Sequence, residues 1–400
     1  MSGRTVLVVN SGSSSLKYQV LDAVTGQTAA SGIVEEIGGQ GRLRHRTGAT
    51  VHERDLACHD HHDALDAARG ALREHGPDLD TTDLFAVGHR VVHGGARFTE
   101  PVVVDDDVIT GIRELVPLAP LHNPANLEGI LSARDSFPDV PQVAVFDTAF
   151  HQTLPSEAYT YAVPALWRER HQVRRYGFHG TSHRYVSRRT AQLLGRAPED
   201  CNVIVLHLGN GASACAVQGG RSIDTSMGLS PLEGLVMGTR SGDVDPALGA
   251  YLARVAHLDA AAYGEALNTR SGLLGLAGVS DLRELERRRS DGDADADLAF
   301  AVMVHRLRKY VGAYAVVLGR VDAIAFTGGI GENSAAVRGA VLDGLGLLGV
   351  VLDADANEDG AAERLVTAGD SRLAAWVVPT NEELEIARAC LSVLGGAGAP

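Results

Sequence analysis

Short apolar runs alternate with glycine-rich turns and with helically spaced apolar positions along the whole chain. Val6–Val9 is an apolar run cut by Asn10 and a Gly/Ser stretch, and Leu16–Val20 follows it. That pattern predicts strand, small-residue turn, strand. Val143–Val145 and Ala323–Phe326 predict two further strands, each ending in a turn. Val186, Thr190, Leu193 and Leu194 form the inner face of a helix that Gly195 stops. Leu384, Ala387, Leu391 and Leu394 do the same near the end of the chain, and an Ala-rich helix is expected near Asp63–Leu72. Alternating strand and helix patterns predict an α/β protein. No linker stands out: Gly38–Gly41 is too short to separate domains, and Gly395–Pro400 has the composition of a frayed tail.

Val203–Leu208 with Gly209-Asn210-Gly211 and Ala214–Val217 repeats the opening strand-turn-strand pattern. At an offset of 197 residues Gly12 falls on Gly209 and Val20 on Val217, which divides the chain into two similar halves. Two halves each opening with a hairpin predict a duplicated domain. Gly209, Gly211 and Ala214 also match G-x-G-x-x-A, but a dinucleotide site needs a helix there, and Ser213–Val217 continues as a strand to Gly219-Gly220. No Walker loop is present either, since Lys17 lacks the preceding Gly and the following Ser/Thr.

Composition narrows the classes. The chain has 400 residues, enough for two or three domains, and 45% hydrophobic residues exclude a mainly disordered chain. A formal charge of −14 opposes generalised binding to nucleic acid or anionic membrane. The N-terminal run is no signal-peptide core, and Arg320 and Asp322 exclude a membrane span within Val311–Phe326. Cys58, Cys201, Cys215 and Cys390 form no C-x-x-C pair, which argues against a disulfide scaffold and for a reducing cytoplasm.

The candidate chemistry sits in the turns. Small-residue hairpins leave backbone N–H groups free to approach a phosphate, and two facing hairpins could grip a triphosphate. Thr327–Asn333 is a third Gly-rich turn, between a strand and a helix. Arg90 follows Gly88-His89 at the end of a predicted strand, and Gly238-Thr239-Arg240-Ser241-Gly242 is expected to do the same for Arg240. Arginine amid glycines suits bidentate recognition of carboxylate or phosphoryl oxygens. Asp147 ends a strand, where α/β sites gather. His179 stands beside glycines just before a helix and can donate to an anion, whereas His183 in the first turn reads as a hydrogen-bonded structural histidine. Thr380 and Glu383 are read as a capping box, which leaves Glu382 for a cation or for the helix dipole. Two decoys are set aside. Cys58-His59-Asp60-His61-His62 is a solvated helix entrance, and Asp291, Asp293, Asp295 and Asp297 lack the glycine of a calcium loop.

Taken in order, these segments resemble the acetate kinase family across nearly the whole chain. The runs are Asn10–Lys17, Gly88–Gly94, Phe146–His151, Phe178–His183, His207–Gly211, Asp224–Gly228, Gly238–Asp243, Gly328–Asn333 and Pro379–Glu383, and none departs from the family pattern. The resemblance implies two RNase-H-like domains of the actin, sugar-kinase and heat-shock chaperone superfamily, with the nucleotide in an interdomain cleft. The first domain is expected at 1–150 plus 384–400 and the second at 151–383.

The resemblance also implies roles. Asn10 and Glu382 resemble the family's ligands for Mg²⁺, with Mn²⁺ as a substitute. Arg90 resembles the arginine that holds the acceptor carboxylate, Arg240 the one on the transferring phosphoryl group, and His179 the histidine donating to it. Asp147 resembles the catalytic aspartate. Lys17, His207, Leu208, Gly209, Asn210, Gly211, Asp281, Leu282, Arg283, Gly329, Ile330, Gly331, Glu332 and Asn333 resemble the ATP/ADP contacts. Val92, Leu121, Phe178 and Pro231 resemble the pocket for the acetate methyl group. A homodimer and a pathway link to a phosphotransacetylase are implied as well.

A carboxylate acceptor is already ionised at neutral pH and needs no general base, so Asp147 is better seen as an orienting group. The expected reaction is reversible, Mg²⁺-dependent transfer of the ATP γ-phosphoryl group to acetate. A propionate or other short-chain carboxylate kinase is the nearest rival. A nucleotide-dependent switch or filament on the same fold, and a phosphohydrolase, are rivals from other classes; carboxylate-dependent turnover separates them.

Overall fold

The computed structural model describes residues 4–395, so the expected C-terminal tail lies, apart from Gly395, outside the described residues. The chain forms two compact units, Met1–Gln152 with Asn381–Pro400 and Thr153–Thr380. Among the described residues no helix is long and apolar enough to cross a membrane.

The first unit is built on an eight-stranded sheet of order β5-β4-β3-β2-β1-β6-β8-β7. Its strands are β1 (Thr5–Ser11), β2 (Ser15–Asp22), β3 (Thr28–Glu35), β4 (Gly39–Thr47), β5 (Thr50–Cys58), β6 (Leu84–Val91), β7 (Val102–Val103) and β8 (Gln142–Phe146). β1 to β5 are joined by antiparallel pairings, while β6 pairs parallel with β1, and β8 parallel with β6. The helix His61–His75 adds Ala64, Leu65, Ala68, Ala71 and Leu72 to a core with Leu7, Val9, Leu16 and Val20. The last helix, Glu382–Leu394, packs against β6 at Gly88, where a Cβ atom would lie 2.6 Å from Ile386 and 3.0 Å from the Cys390 sulfur. That close approach explains a glycine inside a central strand.

The second unit has a six-stranded sheet of order β11-β10-β9-β12-β14-β13. Its strands are β9 (Asn202–Leu208), β10 (Ala212–Gln218), β11 (Arg221–Thr225), β12 (Ala323–Thr327), β13 (Arg364–Leu365) and β14 (Ala374–Val377). Here too a hairpin leads into a third antiparallel strand, and β12 and β14 extend the sheet in parallel. The shared order, three antiparallel strands then two parallel ones, makes the halves structural repeats.

The repeat is not uniform in register. Ser11 pairs with Leu16 across a turn of Gly12–Ser15, whereas Leu208 pairs with Ala212 across Gly209–Gly211. The second turn is one residue shorter. Gly12 therefore matches Gly209 as expected, but Val20 matches Ala216 rather than Val217, because each pairs with its half's equivalent residue, Leu7 or Ile204.

Two local expectations are corrected. The last helix is capped by Asn381, whose side chain accepts from Leu384 N, so Thr380 and Glu383 form no capping box. Arg240 does not end a strand: residues 226–247, between β11 and the helix Leu248–Val255, hold no regular element.

Candidate active site

In the first unit, two parallel strands bring two charges together. Arg90 is the penultimate residue of β6, and Asp147 follows β8. The Arg90 guanidinium donates from Nε to Asp147 Oδ1 at 3.0 Å and from Nη2 to Oδ2 at 2.7 Å. Asp147 is 1% exposed, so the carboxylate is held out of water beneath a half-buried guanidinium. Glu382, first residue of the last helix, stands 3.9 Å from Arg90 Nε. Burial works against the Arg90 charge, but Asp147 and Glu382 outweigh it and hold the guanidinium more firmly protonated. Burial, then the Asp147 charge, raises the Glu382 pKa, while Arg90 and Lys17 oppose the shift. Burial and the Glu382 charge raise that of Glu383 as well.

The surroundings of this group are pinned by side chains that the sequence did not single out. Asn126 accepts from Val92 N at 3.0 Å and donates to Ser11 O at 2.7 Å, tying the ends of β6 and β1. Asn123 bonds both the N–H and the C=O of His93, and Thr148 accepts from Gly94 N. In the first hairpin Gly12 N donates to Ser15 O, and the buried His61 donates to Gly12 O. That bond, together with Asp60 capping its helix, accounts for part of the His-rich decoy. Asn10 pairs with Lys17 across β1 and β2. Of the apolar pair expected in this unit, Val92 is half-buried and Leu121 is 68% exposed.

In the second unit, His179 sits immediately before the helix Gly180–Leu193 with φ 57°, a left-handed conformation unusual for a non-glycine residue. Its Nδ1 lies 2.9 Å from Ser213 Oγ, and His183 Nε2 lies 2.8 Å from the same oxygen. His207 stacks obliquely on His179 at 4.4 Å between centroids, and its Nδ1 meets Ser182 Oγ at 2.8 Å. His183 is thus a buried, hydrogen-bonded histidine, as expected.

Arg240 reaches the same place from the irregular segment. A Cβ atom on Gly211 would lie 3.5 Å from Arg240 Nη1 and 3.8 Å from His179 Nε2. Arg240 Nη1 donates to Pro231 O at 3.1 Å, and among the described residues no carboxylate pairs with it. Burial alone lowers its pKa. The segment is held by a polar network: Arg175 donates to the carbonyls of Thr225, Ser226 and Met227 and pairs with Glu233, while Asp243 accepts from Gly234 N and Tyr310 Oη. Phe178 is 1% exposed beside these groups in sequence.

The other predicted contacts in this unit gather around turns. Leu208, Gly209, Met237, Gly238, Leu273 and Ile330 line one small recess. Gly209 N donates to Gly211 O, and Gly238 N to Asn210 O. Gly328, with φ 75°, passes so close to β9 that a Cβ would lie 2.7 Å from Leu208 O. Glu332 Oε1 accepts from Gly328 N at 2.9 Å and Thr380 N at 3.3 Å, and Asn333 donates to Gly329 O. Arg338, 1% exposed, donates to the carbonyls of Gly331 and Glu332 and was not legible in the sequence. Leu282 is buried, while Asp281 caps its helix and pairs with an exposed Arg283.

Comparison with known proteins decides the family. The model of the acetokinase family matches residues 5–388. The chain belongs to the acetokinase family. It is 57% identical to the acetate kinase of Streptomyces avermitilis over 99% of both chains. Among solved structures, the acetate kinase of Porphyromonas gingivalis superposes with a TM-score of 0.93 at 42% identity, covering 98% of this chain and 100% of that one. A propionate kinase from Francisella tularensis superposes at 0.91 with 41% identity, over 96% and 98% of the two chains. Like other acetokinases, the protein is a kinase, with the actin-like α/β fold repeated in its two sheets.

Proposed function

We propose that this acetokinase transfers the γ-phosphoryl group of ATP to acetate, giving acetyl phosphate and ADP reversibly. The observation that carries the reading is Arg240: a half-buried guanidinium without a carboxylate partner among the described residues, sharing the space beside Gly211 with His179 Nε2. Such a cation amid glycines is an anion site kept empty of protein charge. Arg240 and His179 are assigned to the transferring phosphoryl group, and Arg90 to the acceptor carboxylate through the Nη1 side that Asp147 leaves open. Asp147 then orients Arg90 rather than acting as a base. An acetate oxygen attacks the γ-phosphorus in line as its bond to the bridging oxygen breaks, and ADP leaves. Val92, Leu121, Phe178 and Pro231 are assigned to the methyl group, and Lys17, His207–Gly211, Asp281–Arg283 and Gly329–Asn333 to the nucleotide.

Asn10 and Glu382 offer an amide oxygen and a carboxylate, hard donors suited to Mg²⁺ or Mn²⁺. The excess of carboxylates around Arg90, namely the buried Asp147 and the half-buried Glu382 and Glu383, fits a further cation there. When bound, the metal neutralises phosphate charge. Four buried free thiols support a cytoplasmic setting. Exposed Tyr251 and Val255, on a helix with no buried residue, support a homodimer. Acetyl phosphate made here would feed a phosphotransacetylase.

The test is Mg²⁺-ATP turnover trapped with hydroxylamine, comparing acetate, propionate, butyrate and no carboxylate. The expected hydroxamate signal is strongest with acetate. A stronger propionate signal would keep the mechanism and change the acceptor, since one methylene is worth only about 1–3 kcal/mol. ATP loss indifferent to carboxylate would overturn the reading.

A further inference from the structure

The Ser213 hydroxyl lies between two imidazoles, 2.9 Å from His179 Nδ1 and 2.8 Å from His183 Nε2, and is fully buried on β10. A hydroxyl has one proton to give, and a neutral imidazole has one N–H and one acceptor nitrogen. If Ser213 bonds both rings, it can donate to only one of them, so it either donates to one and accepts from the other or accepts from both. Where it donates to one ring, the two histidines hold complementary tautomers.

The direction follows from what His179 faces. Its Cε1–Nε2 edge borders the space beside Gly211 that Arg240 Nη1 also borders. A second positive charge on His179 would be opposed by Arg240, and His207 stacks against the same ring. A neutral His179 can serve an anion there only if its single proton is on Nε2. Its Nδ1 must then accept, which requires the Ser213 proton.

We infer that Ser213 is a positioning residue that sets the tautomer of His179: His183 Nε2–H donates to Ser213 Oγ, Ser213 Oγ–H donates to His179 Nδ1, and His179 offers Nε2–H to the transferring phosphoryl group. This gives His183 a task as the proton donor at the far end of the relay. The left-handed backbone of His179, φ 57°, is consistent with a ring held for a purpose, because such strain persists only where the surroundings impose it. The inference rests on the phosphoryl role proposed above for His179.

The experiment uses the full-length enzyme labelled with ¹⁵N-histidine, with His179 assigned by comparison with His179→Gln. At neutral pH the His179 ring should show the Nε2–H tautomer. Ser213→Ala should shift protonation towards Nδ1 and lower kcat about tenfold, with KM for ATP and acetate within threefold. Ser213→Thr, which restores the hydroxyl, should recover both the ¹⁵N pattern and kcat. A parent His179 that is doubly protonated, or protonated on Nδ1, overturns the inference, and so does a Ser213→Ala enzyme with the parent pattern. If Ser213→Ala does not fold, the parent and Ser213→Thr spectra still decide it. The expected ¹⁵N pattern in an enzyme without carboxylate-dependent turnover would overturn the proposed function while supporting the relay.

Discussion

Arg90 and Asp147, 57 residues apart in sequence, meet in a two-bond fork at the ends of neighbouring parallel strands. The fork uses Nε and Nη2 and leaves Nη1 without a hydrogen-bond partner among the described residues. Asp147→Asn keeps the shape but weakens the hold on the guanidinium. It also removes a negative charge that competes with the acceptor, so ground-state binding is retained while alignment is lost. The expected outcome is a fall in kcat of about 100-fold with KM for acetate within threefold. Weakened acetate binding with normal turnover, measured by steady-state kinetics, would remove Asp147 from the orienting role.

Arg240 is the opposite case, a half-buried cation that no carboxylate among the described residues balances. Its desolvation costs stability, and the gain comes only when an anion arrives. Arg240→Met should therefore leave the free protein at least as stable, with Tm unchanged or raised, while kcat falls by about 10²–10³ and KM for acetate changes less. Thermal unfolding and kinetics on one preparation check both halves. A Tm lowered by several degrees would mean that the guanidinium is structural.

Arg338 shows a third use of a buried guanidinium. It donates to Gly331 O at 3.0 Å, Glu332 O at 2.9 Å and both Asn357 oxygens, and burial pushes its pKa down to about 10. Arg338→Met would strand those acceptors, at about 1–3 kcal/mol for each one left unsatisfied. Urea unfolding should show a loss of at least about 4 kcal/mol, the lower end of that range over four acceptors. KM for ATP should rise more than KM for acetate, because the disturbed turn is Gly329–Asn333.

His89 supplies a pH prediction outside the site. It is 2% exposed, and its Nε2 donates to Gln142 Oε1 at 2.8 Å. Burial pushes its pKa down to about 4 from an ordinary 6.5, against the opposing effect of the Gln142 bond. Above 6.5 the ring is neutral in folded and unfolded chains and stability is unaffected. As the pH falls from 6.5 towards 4, only the unfolded chain takes up the proton, so stability is lost. The loss is about 1.4 kcal/mol per pH unit, ~3 kcal/mol in all. His45, also lowered by burial and by His52 and His75, acts in the same direction. Urea unfolding between pH 7 and 4 should show this slope, and His89→Gln should reduce it by one proton.

Much of the candidate site is legible because arginine amid glycines is chemically odd. Arg90 and Arg240 stood out against their neighbours, and His179 stood out before a helix. Ser213 did not, because a serine among small strand residues looks like packing. Thr380 and Glu383 were misread as a capping box because the spacing permits one; the backbone instead puts Asn381 at the cap. Arg338 carried no signal at all, since nothing in its local sequence shows that it is buried.

The α/β class, the two hairpins and the half-chain offset follow from the sequence alone, because strand, turn and helix periodicities are local properties of neighbouring residues. The one-residue register shift of the second hairpin, the Arg90–Asp147 fork, the polar network around residues 226–247 and the shared Ser213 hydroxyl were decided only by the tertiary structure. Each depends on atoms that are distant along the chain or on the length of a turn between paired strands, and no local pattern encodes those distances.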